Sequence, residues 1–181
     1  DTIIVDDLLP ETLLRDGDLP LGDKRIIRRT DNDQTLSPDE INKRLVEFAR
    51  KGQTVVRLKG GDPGVFGRGW EEAAHLSAHD IPWEIILGLT AGTALPTMVG
   101  LPLTHRGQAR SFAAATGRVE QGDVNRQLPQ ADNLMLYMNM AALPDVSGDL
   151  VQQGWPCDTP VTIIERGGLI WERHLAGGLN N

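Results

Sequence analysis

Five glycines lie between Gly60 and Gly69, interleaved with Asp62 and Arg68 and preceded by Arg57 and Lys59. Glycine loses more conformational freedom on folding than any other residue, so this density marks backbone that turns sharply or lets a ligand approach. The run Thr54-Val55-Val56 comes just before and reads as a strand. Loops at the carboxyl ends of strands are where open α/β sheets bind their ligands. The stretch is not a triphosphate loop: that motif ends in Gly-Lys-Ser/Thr, and here Lys59 precedes the glycines. The dinucleotide fingerprint fails as well, because the spacing differs and Asp62 would oppose a pyrophosphate. A cationic or hydroxyl-rich ligand suits an aspartate among glycines; a tight structural turn is the competing reading.

Two other groups of side chains have the types for chemistry. Asp6 ends the apolar run Thr2-Ile3-Ile4-Val5, where it is either a cleft carboxylate or a turn residue. His75 and His79 stand at i, i+4 spacing with Glu71 and Glu72 nearby, but the His-Glu-x-x-His order of a zinc site is absent. A solvated helix face explains that pair.

These residues need elements to position them. Thr2–Val5, Arg25–Arg28, Thr54–Leu58, Glu84–Leu87, Ser111–Thr116, Leu134–Met138 and Val161–Glu165 read as strands. Between them, Glu11–Arg15, Glu71–His79, Ala91–Val99 and Leu143–Gln153 read as helices. Ser37-Pro38-Asp39-Glu40 is a helix start: Ser37 caps, Pro38 suits the first position and Glu40 completes a capping box. Ile41, Leu45, Phe48 and Ala49 then share one face, and Gly52 ends the helix. The polar stretch Arg118–Asp132 reads as a loop. Strands alternating with helices indicate an α/β protein.

Composition narrows the function classes. With 181 residues, 40% hydrophobic and 24% charged, the chain is ordinary for a globular protein of one or two domains. No apolar run is long enough to cross a membrane. A net charge of −7 without a basic stripe excludes a typical nucleic-acid binder. The single cysteine, Cys157, excludes an internal disulfide and a multi-cysteine metal site, and fits a reducing, cytoplasmic setting.

Several blocks in order along the chain carry a resemblance. They are Val55–Glu72, Gly88-Leu89-Thr90-Ala91, Gly100-Leu101-Pro102-Leu103-Thr104-His105-Arg106-Gly107, Thr116-Gly117, Leu136-Tyr137-Met138 and Ile164-Glu165-Arg166-Gly167. Together they resemble the uroporphyrinogen III C-methyltransferases of the tetrapyrrole methylase superfamily. The resemblance implies the tetrapyrrole methylase fold, with α/β domains at residues 1–108 and 109–181 and the active site in the cleft between them. The family's first strand and a proline- and glycine-rich cofactor loop would precede Thr2, and further strands would follow Leu179. The implied activity is transfer of methyl groups from S-adenosylmethionine to uroporphyrinogen III, giving precorrin-2 and S-adenosylhomocysteine, in a cytoplasmic homodimer. Another precorrin methylase, or a weakened domain that binds tetrapyrrole or cofactor without turnover, is the alternative.

The implied site residues follow from the same blocks. Gly60, Gly61, Asp62, Val65, Thr90, Ala91, Met138 and Gly167 match cofactor contacts. On residue type alone, Met138 on a strand would be core packing. Asp6 matches the proton acceptor. Arg29 falls where the family has a lysine proton donor, and Lys24 takes that role only if the intervening loop differs in length. Arginine stays charged at ordinary pH, so it binds anions but donates protons poorly. Asp7 stands where the family has an arginine. Arg68, His105, Arg106 and Arg110 are candidate partners for the substrate's carboxylates, with Arg68 and Arg106 favoured because they lie inside matching blocks.

Overall fold

The computed structural model describes residues 1–15, 22–31, 34–119 and 122–180. They form two compact units, Asp1–Leu89 and Thr90–Asn181. In the first unit the chain runs through β1 (Thr2–Val5), the short helix α1 (Glu11–Arg15) and β2 (Arg25–Arg28). A small antiparallel hairpin follows, β3 (Thr30–Asp31) with β4 (Gln34–Thr35), then α2 (Pro38–Arg50), β5 (Val55–Leu58) and α3 (Gly69–Ser77).

β1 lies between β2 and β5 and is parallel to both. All four of its residues are buried, which is why it reads as an unbroken apolar run rather than an alternating one. Successive side chains point to opposite faces of the sheet. Ile4 packs with Ile41, Leu45 and Phe48 of α2. Ile3 and Val5 pack with Leu14 of α1. α2 begins as its sequence dictates. The Ser37 amide donates to Glu40 Oε2 at 2.7 Å, and the Glu40 amide donates to Ser37 Oγ at 3.3 Å.

Glu84–Leu87, expected as a strand, is not one. Among the described residues the outer edge of β5 has no strand partner, and Ile86 and Leu87 are exposed. An apolar run becomes a strand only where a neighbour pairs its N–H and C=O groups. A cavity of about 770 Å³ is lined by β5 together with residues 81–88.

The second unit holds α4 (Ala91–Met98), β6 (Phe112–Thr116) parallel to β7 (Asn133–Tyr137), a 3-10 turn at Met140–Ala142 and α5 (Leu143–Gln152). It ends in β8 (Pro160–Glu165) antiparallel to β9 (Arg173–Gly178). Ala115, Leu128, Ala142, Val146, Leu150 and Leu179 form its core. β9 was not expected from its polar and glycine-rich sequence; it pairs along the whole of β8 while its residues stay largely exposed. Residues 120 and 121 of the expected loop Arg118–Asp132 lie outside the described residues. The division at Leu89 puts α4 in the second unit, whereas a boundary at 108/109 puts it in the first. The reason is local: the Gly92 amide donates to the Tyr137 hydroxyl of β7 at 2.7 Å. Among the described residues, no helix is long and apolar enough to cross a membrane.

The capping box has a pH signature. Hydrogen bonds from the Ser37 amide and hydroxyl hold the Glu40 carboxyl below its ordinary value of 4.5. A carboxyl depressed in the folded state stabilises above its unfolded pKa, and that contribution is lost as pH falls through the folded pKa. Glu40→Ala should therefore lower the urea midpoint at neutral pH, and its gap from the parent protein should narrow well below pH 4.5.

Candidate functional site

In the first unit the chemistry gathers at the carboxyl ends of β1 and β5. The parallel register sets Val5 opposite Leu58, so Asp6 and Lys59 leave their strands side by side. Arg57 and Lys59, two apart on one strand, extend from the same face. Arg57 Nη2 donates to Asp6 Oδ2 at 2.8 Å, and Arg57 Nε donates to Glu72 Oε1 of α3 at 3.1 Å. Lys59 Nζ donates to Glu72 Oε1 at 3.0 Å and lies 3.9 Å from Asp6 Oδ2. Asp6 is thus a largely buried carboxylate hydrogen-bonded to Arg57 with Lys59 nearby, and its carbonyl also accepts from the Leu9 amide at 3.4 Å in the turn after β1. Arg57, Lys59 and Glu72 were not singled out as site residues from sequence. The signal was available: two cations at alternate positions of an otherwise apolar strand share one face.

Arg29 and Asp7 pair with each other at 3.4 Å. Arg29 Nε also donates to the Leu36 carbonyl at 3.4 Å. The opposite charges of this pair therefore compensate locally.

The glycine loop is fastened by its own aspartate. Asp62 Oδ1 accepts from the Gly64 amide at 2.7 Å, and Oδ2 accepts from the Gly88 amide at 3.2 Å. A Cβ on Gly88 would overlap the Gly61 carbonyl, so only glycine lets these two loops touch. Gly60 and Gly61 are exposed on this loop, and the half-buried Val65 closes a turn by donating its amide to the Asp62 carbonyl at 3.2 Å. The turn reading is thus what the geometry shows: Asp62 builds the turn, and each of its oxygens keeps a lone pair. Arg68 is exposed and pairs with Glu71, which holds the Glu71 carboxyl below the usual carboxylate range. His79 Nδ1 lies 2.8 Å from the His75 carbonyl oxygen.

In the second unit Tyr137 organises the matching residues. Its hydroxyl shares a 2.5 Å hydrogen bond with Thr90 Oγ1 and accepts from the Gly92 amide, tying the start of α4 to the end of β7. Ala91 is the first, exposed residue of that helix. Met138 follows β7 with a left-handed φ of 53° and is 60% exposed. The expectation of core packing from residue type is wrong here, because the strand ends at Tyr137 and the backbone turns Met138 outward. Such a conformation is strained for a residue with a Cβ and persists at ligand clamps. Gly167 follows β8, and a Cβ there would overlap Leu95 of α4. Arg106 is exposed in the turn closed by the bridge between His105 and Ala109. Tyr137, also missed as a site residue, could have been found as the one tyrosine of the chain, set beside Met138 at a strand end.

A model of the tetrapyrrole (corrin/porphyrin) methylases matches residues 1–180, and the chain belongs to that family. It is 37% identical over 190 residues to a uroporphyrinogen-III C-methyltransferase of Methanocaldococcus jannaschii, covering 100% of this chain and 76% of the relative. It is 39% identical over 153 residues to a siroheme synthase of Pseudomonas fluorescens, covering 81% of this chain and 32% of the relative. The chain thus spans about a third of the length of that curated relative. The uroporphyrin-III C-methyl transferase of Thermus thermophilus, solved with S-adenyl homocysteine, superposes with a TM-score of 0.84. It is 32% identical, with 99% of this chain and 76% of that chain covered.

The contact of Gly88 with Gly61 gives a direct test. A backbone carbonyl cannot yield as a flexible side chain can, and overpacking costs about 1–3 kcal/mol. Gly88→Ala should lower the stability of the protein by that amount, read from denaturant midpoints; an unchanged midpoint would show that the loops do not meet.

Proposed function

We propose that this chain catalyses S-adenosylmethionine-dependent C-methylation of uroporphyrinogen III, giving precorrin-2 on the route to sirohaem and cobalamin. The observation that carries this reading is the 37% identity, across the whole chain, to a uroporphyrinogen-III C-methyltransferase. The structural likeness to an enzyme solved with the demethylated cofactor supports it.

The residues present fit such a cofactor. The exposed backbone of Gly60 and Gly61 beside Asp62 offers carbonyls and carboxylate lone pairs to an amine or to hydroxyls. Val65 adds an apolar contact. In the second unit, Thr90 and Ala91 present the start of α4, Met138 offers a soft apolar surface, and Gly167 lets the chain after β8 pack closely against Leu95 of that helix. When bound, S-adenosylmethionine supplies an electrophilic methyl on a sulfonium. The protein's share is to hold the electron-rich ring carbon in line with that methyl, a proximity task, and to receive the proton the methylated ring gives up. Asp6 is the acceptor in this reading. Arg29, permanently charged and paired with Asp7, stands at the lysine's position as an anion-holding group. Arg68 and Arg106, both exposed, are the proposed partners of substrate carboxylates.

A homodimer in the cytoplasm completes the proposal, supported by the family resemblance and the single exposed cysteine. A light-scattering mass equal to one chain would count against the dimer. The activity is tested by anaerobic transfer of a labelled methyl group from S-adenosylmethionine to uroporphyrinogen III. Label in a dimethylated tetrapyrrole is the expected result. No transfer by a folded protein that still binds S-adenosylhomocysteine would favour a domain that binds without turnover, or another tetrapyrrole substrate.

A further inference from the structure

We propose that Glu72 is a positioning residue for Asp6, acting through Arg57 and Lys59; the inference rests on Asp6 being the proton acceptor. Four charges meet at the ends of β1 and β5, two of each sign, and all are mostly withdrawn from water. Side-chain exposure falls from Asp6 at 18% through Glu72 at 15% and Arg57 at 11% to Lys59 at 6%. Asp6 is the outermost member and Glu72 does not touch it. A cation taken out of water is costly unless paired and hydrogen-bonded, so the arrangement exists only as a set.

The geometry shows how Glu72 controls it. Arg57 is fixed on every side: Nε donates to Glu72, Nη2 to Asp6, and Nη1 to the carbonyls of Ile4 and Leu58 at 3.3 and 3.2 Å. Lys59 is anchored to Glu72 at 3.0 Å and stands 3.9 Å from Asp6, beyond hydrogen-bond distance. Glu72 is therefore the hydrogen-bond acceptor that both cations share. Asp6 is gripped at both oxygens, Oδ2 by Arg57 and Oδ1 by the Asp7 amide at 2.8 Å. That double grip removes rotation of the carboxylate and leaves a lone pair on each oxygen aimed in a set direction. Asp7, next in the chain, is paired with Arg29 just after β2.

The test uses the full protein in the methyl-transfer assay with Glu72→Gln, Asp6→Asn and the double variant. A small misplacement of a reacting group costs up to about 100-fold in rate, so Glu72→Gln should lower kcat by about 10- to 100-fold. KM for both substrates should stay unchanged. In the Asp6→Asn background Glu72→Gln should cost nothing further, because residues acting as one unit are not additive. Glu72→Asp, which keeps the charge, should recover part of the loss, and denaturation curves will show which variants are folded. Equal losses in both backgrounds, or an unchanged kcat in folded Glu72→Gln, would overturn the positioning role while leaving the methyltransferase reading intact. Full activity in Asp6→Asn would overturn the positioning role through its premise, and no transfer by the parent protein would overturn both.

Discussion

Two carboxylates and two cations, almost closed off from water at the carboxyl ends of β1 and β5, are the constraint around which the first unit is arranged. Isolated, any of the four would be expensive to bury. Together they are neutral and linked by hydrogen bonds from Arg57 to both carboxylates and from Lys59 to Glu72. Their meeting requires the parallel pairing of β1 with β5, and it requires α3 to return over the sheet so that Glu72 reaches both cations. The glycine loop between β5 and α3 makes that return possible. Asp62 shapes it, and the contact with Gly88 pins it to the segment after residue 81. The same loop that closes the charge group leaves the backbone of Gly60 and Gly61 exposed.

The second unit solves its positioning problem with one hydroxyl. Tyr137 ends β7 and gathers Thr90 and Gly92 at the start of α4. The backbone then reverses into a left-handed residue, which sends Met138 outward. A thioether held at the surface in a strained conformation is poor packing and good ligand surface.

Much of this was legible in the sequence. α2 announced itself through Ser37, Pro38 and Glu40, and its apolar stripe matched the face that covers Ile4. β1 was plain as a continuous apolar run. Glu84–Leu87 misled because β-propensity describes a surface that fits a sheet and not the presence of a neighbour to pair with. β9 was invisible for the converse reason: Arg173–Gly178 has little apolar content, and its order comes from the ladder with β8. The family resemblance pointed to Asp6, the glycine loop and Met138. It did not reveal that Arg57, Lys59 and Glu72 converge on Asp6, since that depends on strand register. Nor could it reveal that Asp7 and Arg29 pair with each other, since the pair forms between residues that follow two different strands.

Hydrogen–deuterium exchange of the folded protein, with and without S-adenosylhomocysteine, tests most directly whether the Asp62-fastened glycine loop binds the cofactor. Slowed exchange at the amides of Gly60–Val65 is expected when the ligand is added. Unchanged exchange in that loop, with protection elsewhere or nowhere, would contradict it.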